Sequence, residues 1–402
     1  MCHTTLCDFA FFHYICAVIH KDVAMNKKFV YGVEVTDYNF TGRKKEIKRL
    51  KTNFENGLNV ILMSPRRMGK TSLVKQVCKE LETNDDVITV YLDIFGCKSE
   101  YEMYNKLASA ILRQTSSQTK LWLEEASEFL GRITSKISFS PAPMDEFSVS
   151  LGITPKTHSP EEILNLAEQI AIKKGKHIVV CIDEFQQIGG YNNSLQVQAC
   201  LRGVWQQQKH VSYCLFGSKH HFMSSIFLDK SMPFYQFGEL MTLKTIDTED
   251  WVKYIVSHFK DGNRTITDEQ AARLCNAVSN YSSYVQQYAW QVYTQLNDGD
   301  EVTEANLETG LEEVLDINDA LFSQTIESLT EYQMNFLRAI ANGYQTDFGK
   351  AEVRNEYHLG SYSNIARLRK ALLEKDIVES NMKQLSFTDP VFELWFKKKY
   401  MV

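Results

Sequence analysis

The sequence predicts an α/β protein with a parallel sheet covered by helices on both faces, followed by an all-helical region and a small domain of helices and a hairpin. Short apolar runs, each the length of a buried strand, alternate with stretches of helical periodicity up to residue 246. From residue 247 onward the apolar residues follow a helical period almost throughout. With 402 residues, 44% of them hydrophobic, the chain is long enough for two or three domains.

The net charge and the cysteines limit the class of protein. The formal net charge is -6 at pH 7, so no overall field attracts the chain to nucleic acid or acidic lipid, and any such contact must be local. None of the nine cysteines forms a C-x-x-C pair, and several fall in apolar strand or helix patterns. This distribution favours reduced, buried thiols in a cytoplasmic protein, without a zinc site or a disulfide framework.

Residues 1–24 differ from the sequence that follows them. Three cysteines crowd this stretch, and its apolar run at residues 9–19 is too short to span a bilayer. Met25 then opens Met-Asn-Lys-Lys-Phe, a plausible translation start. We therefore predict that residues 1–24 are a non-native extension, and a membrane anchor is the alternative. No stable membrane insertion is expected.

A nucleotide-binding domain is predicted over residues 25–246, and its first helix has an apolar face that begins at Ile47. Phe40, Gly42 and Arg43 precede this helix. An aromatic side chain followed by Gly-Arg, ahead of a phosphate-binding loop, could pack near a nucleobase. The same residues would also suit an ordinary helix start.

A phosphate-binding loop is predicted between a strand at residues 59–63 and the helix that follows it. The string Ser-Pro-Arg-Arg-Met-Gly-Lys-Thr-Ser matches the pattern G-x-x-x-x-G-K-[ST], except that Ser64 replaces the first Gly. Backbone N–H groups and the positive end of the helix dipole would bind phosphates, Lys70 would contact the β and γ phosphates, and Thr71 would bind Mg2+. The residues predicted to bind the nucleotide here are Ser64, Pro65, Arg66, Arg67, Met68, Gly69, Lys70, Thr71 and Ser72.

Two predicted strands end in carboxylates, one in Asp183 and Glu184 together and the other in Asp93 alone. A buried strand beside the phosphate-binding loop would place Asp183 in the magnesium shell, and Glu184 could orient or deprotonate the attacking water. Asp93 competes for the magnesium role but lacks a neighbouring acid, so Asp183 is preferred. Ser218, at the end of the next predicted strand, could sense the γ phosphate or position water, although it also suits a turn.

Residues 134–154 interrupt the alternation of strands and helices. Two segments of alternating apolar character flank a Pro-Ala-Pro-Met sequence. This pattern predicts a β-hairpin inserted on the surface of the nucleotide-binding domain.

The second half is predicted to hold a helical lid at residues 247–329 and a winged-helix domain at residues 330–402, since three short helices and a hairpin are the ingredients of a winged helix. The third of these helices carries Arg367, Arg369 and Lys370, which would suit contact with DNA. Residues 330–402 nevertheless hold 11 Lys and Arg against 9 Asp and Glu, far from a strongly basic balance. A protein-docking or autoinhibitory role is therefore favoured over DNA contact.

Several strings together resemble the archaeal-type ATPases of the STAND class, which are relatives of AAA+ proteins. The strings are Phe40-x-Gly42-Arg43, Ser64–Leu73, Ile182–Gln186, Leu215–Ser218 and Asp389–Phe396. The resemblance covers about residues 26–402 and implies an AAA+-like fold that binds ATP and Mg2+. It assigns phosphate contact to the loop at 64–72, magnesium to Asp183, water activation to Glu184 and sensing to Ser218.

This resemblance implies a slow, regulated, magnesium-dependent ATPase in which the nucleotide state moves the lid and the winged helix, with a protein partner or self-association. AAA+ motors carry an arginine finger after the sensor strand, yet residues 219–243 contain no Arg, which argues against a motor-like ring. Arg202 or Arg264 are alternative sources of such a finger. Two other functions stay open: an initiator-like DNA-binding ATPase, and an ATP-binding scaffold with little turnover.

Overall fold

The computed structural model describes residues 29–116, 159–381 and 384–401. The predicted extension at residues 1–24 and the predicted hairpin at residues 134–154 lie outside the described residues. Helices and strands are numbered below in chain order over the described residues.

In the described part of the chain, a sheet of five parallel strands has the order β2-β3-β4-β1-β5. The strands are β1 (Val60–Met63), β2 (Val87–Asp93), β3 (His177–Asp183), β4 (Val211–Gly217) and β5 (Glu239–Thr242). Because all the strands are parallel, their carboxyl ends meet at one edge of the sheet. Asp93 lies beside Asp183 there, and Met63 lies beside Gly217.

Helices cover both faces of this sheet, as the alternating pattern predicts. They are α1 (Lys44–Glu55), α2 (Lys70–Leu81), α3 (Glu100–Thr115), α4 (Pro160–Leu164), α5 (Leu166–Lys174), α6 (Ser194–Trp205) and α7 (His220–Phe227). One apolar cluster, with Phe185 and Trp205 at its centre, fills one face, and a second cluster with Phe54 and Phe216 fills the other. The predicted α/β fold class is therefore confirmed.

The second half consists of helices and one hairpin. Its elements are α8 (Thr248–Asp261), α9 (Asp268–Ala277), α10 (Ser282–Thr294), α11 (Glu304–Glu327), α12 (Glu331–Ala341), α13 (Ala351–Glu356), α14 (Tyr362–Glu374), β6 (Val378–Asn381), β7 (Gln384–Phe387) and α15 (Pro390–Tyr400). The two strands are antiparallel, as the predicted hairpin requires. Buried side chains from Trp251 to Phe396 belong to one continuous core, so the helical region and the winged helix pack as a unit.

Across the residues that the structure describes, no helix is both long enough and apolar enough to cross a membrane.

Candidate nucleotide-binding site

The phosphate-binding loop joins strand β1, which lies between β4 and β5 in the sheet, to helix α2. Arg67 (φ 65°) and Gly69 (φ 81°) adopt the left-handed conformation, which curls the backbone so that successive N–H groups can face one anion. Ser64 lies outside the left-handed region and is fully buried, and its hydroxyl donates to the Pro65 carbonyl at 3.0 Å. The loop therefore accommodates Ser in place of the usual first Gly without backbone strain.

Lys70 is held under the loop by backbone oxygens. Its Nζ donates to the carbonyls of Ser64 at 3.1 Å and Pro65 at 2.9 Å, and to the Ser64 hydroxyl at 3.2 Å. The residue is only 6% exposed, and burial lowers the pKa of Lys70 to about 8, while the nearby carboxylates of Asp183 and Glu184 act in the opposite direction. A desolvated cation at this position is well suited to bind phosphate oxygens.

Thr71 and Asp183 meet at the first turn of α2. The Thr71 hydroxyl donates to Asp183 Oδ2 at 2.6 Å, and the Glu184 backbone N–H donates to Oδ1 at 2.7 Å. The Tyr91 hydroxyl also donates to Oδ2, at 3.2 Å. Burial raises the pKa of Asp183, which is 6% exposed, while the hydrogen bonds from Thr71 and Glu184 favour its charged form.

The oxygens of Thr71 and Asp183 fit Mg2+, which is a hard cation that usually takes one or two protein oxygens and completes its shell with water and substrate phosphates. Within the described residues, no group of three or more His, Cys, Asp or Glu side chains is arranged to hold a metal ion by itself.

Glu184 follows β3 in the left-handed conformation, with φ 54°. Its Oε2 accepts hydrogen bonds from the Ser218 hydroxyl at 3.2 Å and from the side-chain amide of Gln186. Ser218 follows β4, so the ends of two adjacent strands hold one carboxylate. Asp93, by contrast, accepts from the Phe95 backbone N–H at 2.8 Å, as a carboxylate does at the end of a strand.

A cavity of about 740 Å3 unites these groups. The predicted residues that line it are Phe40, Arg43, Arg66, Arg67, Met68, Gly69, Lys70, Thr71, Ser72, Asp93, Asp183, Glu184 and Ser218. Ser64, Pro65 and Gly42 are not in its lining. Gly42 packs elsewhere, since a Cβ there would lie 2.7 Å from Ile246 Cγ2.

Sequence reasoning missed two walls of this cavity. Residues 29–41, which we call the N-terminal strap, contribute Val30 to Val35, Asn39 and Thr41 to the lining, beside the predicted Phe40. The strap is tied to α2 by the Val35 N–H, which donates to the Ser72 hydroxyl at 3.0 Å. Trp251 and Gln286 of the helical region form the second wall.

Arg43 supports the phosphate-binding loop by donating hydrogen bonds to backbone carbonyls. It is 5% exposed, and its guanidinium donates to the backbone carbonyl of Met68 at 3.0 Å and to that of Lys244, while Glu46 Oε1 lies 3.3 Å away. These contacts join the loop to the segment after β5. The Arg43 guanidinium is thus committed to backbone oxygens, although the residue also lines the cavity.

The helical region and the winged helix both reach the loop at Arg67. The Arg67 carbonyl accepts from the Ser283 N–H at 3.2 Å, at the start of α10. Its guanidinium donates to the Tyr284 hydroxyl and lies 2.9 Å from Asp389 Oδ2. Tyr284 in turn donates to the same Oδ2 at 2.5 Å. We call this contact of Arg67, Tyr284 and Asp389 the loop–wing junction.

Asp389 also begins helix α15. Its Oδ1 accepts from the backbone N–H groups of Val391 at 3.0 Å and Phe392 at 3.1 Å, which makes Asp389 the N-cap. One carboxylate therefore caps a helix of the winged-helix region with one oxygen and binds the phosphate-binding loop with the other.

The other arginines singled out in the sequence have defined surroundings. Arg264 donates to the carbonyls of Leu296 and Gly262 and to the Tyr293 hydroxyl, so it holds the helical region together. The Arg202 guanidinium lies 4.9 Å from the ring centre of Phe237.

The basic residues of α14 are held by polar neighbours. Arg367 is exposed and donates to Asn364, and Arg369 donates to Ser380 of the hairpin at 2.6 Å. Lys370 is exposed and pairs with Glu374 at 3.7 Å.

The loop, its lysine and hydroxyl, and the two adjacent acids at the end of β3 define the class of P-loop nucleotide-binding proteins. Within that class, residues 40–270 match the family model of an ATPase domain predominantly from Archaea, and the chain belongs to this family because the match spans more than half of it. Residues 320–398 match the model of a probable winged helix domain. The resemblance to archaeal-type ATPases is thereby confirmed, while membership of the STAND class stays a prediction. No curated protein matches the chain.

Solved structures share the fold over nearly the whole chain. The Walker-type ATPase PABY2304 of Pyrococcus abyssi is 16% identical, with a TM-score of 0.66, over 92% of this chain and 99% of that one. The ORC2 protein of Aeropyrum pernix, in ADPNP–ADP complexes, is 15% identical, with a TM-score of 0.55, over 91% of this chain and 98% of that one. At such identities the likeness shows the fold alone, and it agrees with the AAA+-like architecture.

Proposed function

We propose that this chain is a magnesium-dependent ATPase of the initiator-like AAA+ type, whose nucleotide state controls a winged helix that contacts DNA. The observation that carries the proposal is the convergence of Lys70, the Thr71–Asp183 pair and the Glu184–Ser218 pair on one cavity. Family membership supports hydrolysis of ATP.

In the proposed reaction, the oxygen of a water molecule bonds to the γ phosphorus while the bond from that phosphorus to the β–γ bridging oxygen breaks. Glu184 takes a proton from the water, and ADP and inorganic phosphate are the products. Lys70 stabilises charge on the β and γ phosphates, and Ser218 holds Glu184 in place. Thr71 and Asp183 would hold Mg2+, which offsets the negative charge of the phosphates.

The loop–wing junction supports the coupling of nucleotide state to the winged helix. Arg67 belongs to the phosphate-binding loop and Asp389 caps a helix of the winged-helix region, and they are joined at 2.9 Å. A ligand that rearranges the loop must either preserve or break this contact. A nucleotide that breaks the contact would release α15 from the loop, whereas one that preserves it would keep α15 in place.

Contact with DNA rests on the exposed faces of α14 and the hairpin. Arg367 and Lys370 are exposed beside the predicted wing, and the segment matches a winged helix model. The archaeal ORC2 protein shares the fold, and an initiator-like function is therefore preferred to a STAND switch. The STAND switch is the second candidate function, and the loop–wing junction favours it.

Nucleotide binding and turnover in two variants test the ATPase. Glu184→Gln should keep nucleotide affinity and lose turnover by about 100-fold or more, because it removes the general base. Lys70→Ala should lose binding. Glu82→Gln, an exposed acid at the end of α2, is the matched control and should behave like the parent protein.

Two results would contradict the ATPase. Stoichiometric ATP binding without turnover in the parent protein would favour an ATP-binding scaffold, and no affinity for nucleotide would end the proposal.

A separate measurement tests DNA contact. Binding to duplex DNA should weaken steeply as salt rises, and replacing Arg367 and Lys370 by Ala should lower both the affinity and the salt dependence. Lys398→Ala, an exposed lysine on α15 that pairs with Glu312, is the control. If the double variant binds DNA like the parent protein, α14 is not the DNA-contacting helix.

A further inference from the structure

Gln186 has no role in the proposed mechanism, yet its side chain bonds directly to the carboxylate at the centre of it. It lies in the turn of residues 185–190 that follows β3, and it is 4% exposed. Its amide nitrogen donates to Glu184 Oε2, the oxygen that also accepts from Ser218. Among the described residues, no hydrogen bond reaches Glu184 Oε1.

This arrangement divides the work between the two oxygens of Glu184. Two donors from different elements hold Oε2, so the carboxylate has a fixed orientation. The second oxygen is left to accept a proton. A general base needs this kind of restraint, because small displacements of a reacting group lower the rate strongly.

The packing around Gln186 points to the same role. The carboxamide lies against Gly217, where a Cβ would overlap its oxygen and come within 2.9 Å of its carbonyl carbon. Gly217 comes directly before Ser218, so the chain that supplies one donor also makes room for the other. Gly217 thus has a steric role at a position where its φ is not left-handed.

If Gln186 had only a structural role, its buried side chain would be unfavourable for stability. No described residue donates a hydrogen bond to its buried Oε1. A buried polar atom without a partner lowers stability, and an apolar side chain of similar length would avoid that cost. Buried polar groups of this kind are tolerated where function needs them.

We propose that Gln186 is a positioning residue for ATP hydrolysis, which holds Glu184 together with Ser218 and acts without touching the nucleotide. This inference rests on the proposed ATPase function. Gln186 is absent from the lining of the nucleotide cavity, so it affects turnover and not nucleotide affinity.

The variant Gln186→Met keeps the length of the side chain and removes the donor. We expect kcat to fall about 10- to 100-fold, the range for a lost hydrogen bond to a charged group, with the dissociation constant for ADP unchanged within about twofold. The melting temperature should stay the same or rise.

A second variant, Gln186→Glu, separates orientation from packing. It keeps the size and polarity of the side chain but replaces the donating amide by a carboxylate, which cannot donate to Glu184. Its turnover should therefore be at least as low as that of Gln186→Met. The control is Gln207→Met, at an exposed position after α6, which should change none of these quantities.

The outcomes distinguish this inference from the proposed function. If the parent protein does not hydrolyse ATP, the proposed function fails. If the parent protein is active and Gln186→Met keeps its kcat, the inference about Gln186 is overturned. A loss of ADP affinity or of melting temperature in Gln186→Met would also overturn it, since Gln186 would then be a structural residue.

Discussion

The substitution Asp389→Asn would break the loop–wing junction while preserving the cap of α15. Asn keeps the Oδ1 that accepts from the Val391 and Phe392 N–H groups. Its amide nitrogen replaces Oδ2, the oxygen that binds both Arg67 and Tyr284. The variant therefore removes the link between the phosphate-binding loop and the winged-helix region without removing the helix start.

The size of the effect follows from the exposure of the partners. The side chains of Arg67 and Asp389 are 34% and 27% exposed, so their ion pair contributes only about 0.5–1 kcal/mol after solvent screening. Tyr284 is buried, and burial raises the pKa of its hydroxyl, which therefore stays protonated and donates to Asp389. Together with this charge-assisted hydrogen bond, the junction stabilises the contact between the phosphate-binding loop and the winged-helix region by about 2 kcal/mol. Its loss therefore changes the equilibrium between the joined and separated arrangements up to about 30-fold.

Hydrogen exchange of the β6–β7 hairpin amides and the affinity for ADP measure this equilibrium. We expect faster exchange in the hairpin and a changed ADP affinity in Asp389→Asn, with a smaller difference at high salt. Asp376→Asn is the matched control, because Arg66 and Asp376 are 4.0 Å apart and more exposed. If exchange and ADP affinity in Asp389→Asn equal those of the parent protein, the junction does not couple the two regions.

Three further predictions concern side chains that contact the phosphate-binding loop or Asp183. Burial lowers the pKa of Lys70 to about 8, so the nucleotide-free protein loses the positive charge of Lys70 as the pH rises. The affinity for ADP, measured by titration calorimetry, should therefore fall about tenfold from pH 7 to pH 9. An affinity that does not change with pH would contradict this. Arg43→Ala should lower the free energy of unfolding, measured in urea, by about 2–4 kcal/mol, because two backbone carbonyls lose their donor. Arg49→Ala, at an exposed position, should lower it by about 1 kcal/mol or less. Equal effects of the two substitutions would show that Arg43 does not stabilise the loop. Tyr91→Phe removes a donor to Asp183 and should raise the Mg2+ concentration for half-maximal turnover about two- to fivefold; an unchanged Mg2+ requirement would exclude that role.

The parts of this molecule that the sequence predicts are those encoded by neighbouring residues. The apolar run at residues 87–93 predicts a strand with the bounds of β2, and the apolar run that starts at residue 177 predicts β3. The spacing of Thr267 and Gln270 predicts a capping box, which begins α9. The meeting of Thr71 and Asp183 is also predictable, since parallel strands bring their carboxyl ends to one edge. Tyr91 could have been found as well, because it lies two residues before Asp93 and so faces the same side of β2.

Contacts between residues that are far apart in the sequence cannot be predicted from local patterns. Arg67 and Asp389 are 322 positions apart, and no local pattern relates them. Ser159, Pro160 and the two acids after them predict a helix that continues to about residue 174, but the structure divides it into α4 and α5 at Asn165. There the side-chain amide of Gln208 donates to the Leu164 carbonyl at 2.9 Å. Periodicity alone carries no information about such distant contacts.

The N-terminal strap has a consequence for dissecting the chain into fragments. The family match begins at Phe40, yet residues 30–35 form part of the cavity wall and Phe29 packs into the core of the helical region. A fragment cut at the family boundary would keep every residue of the phosphate-binding loop and still present an open, widened pocket. Nucleotide affinities measured on such a fragment would describe a different binding site from that of the longer chain.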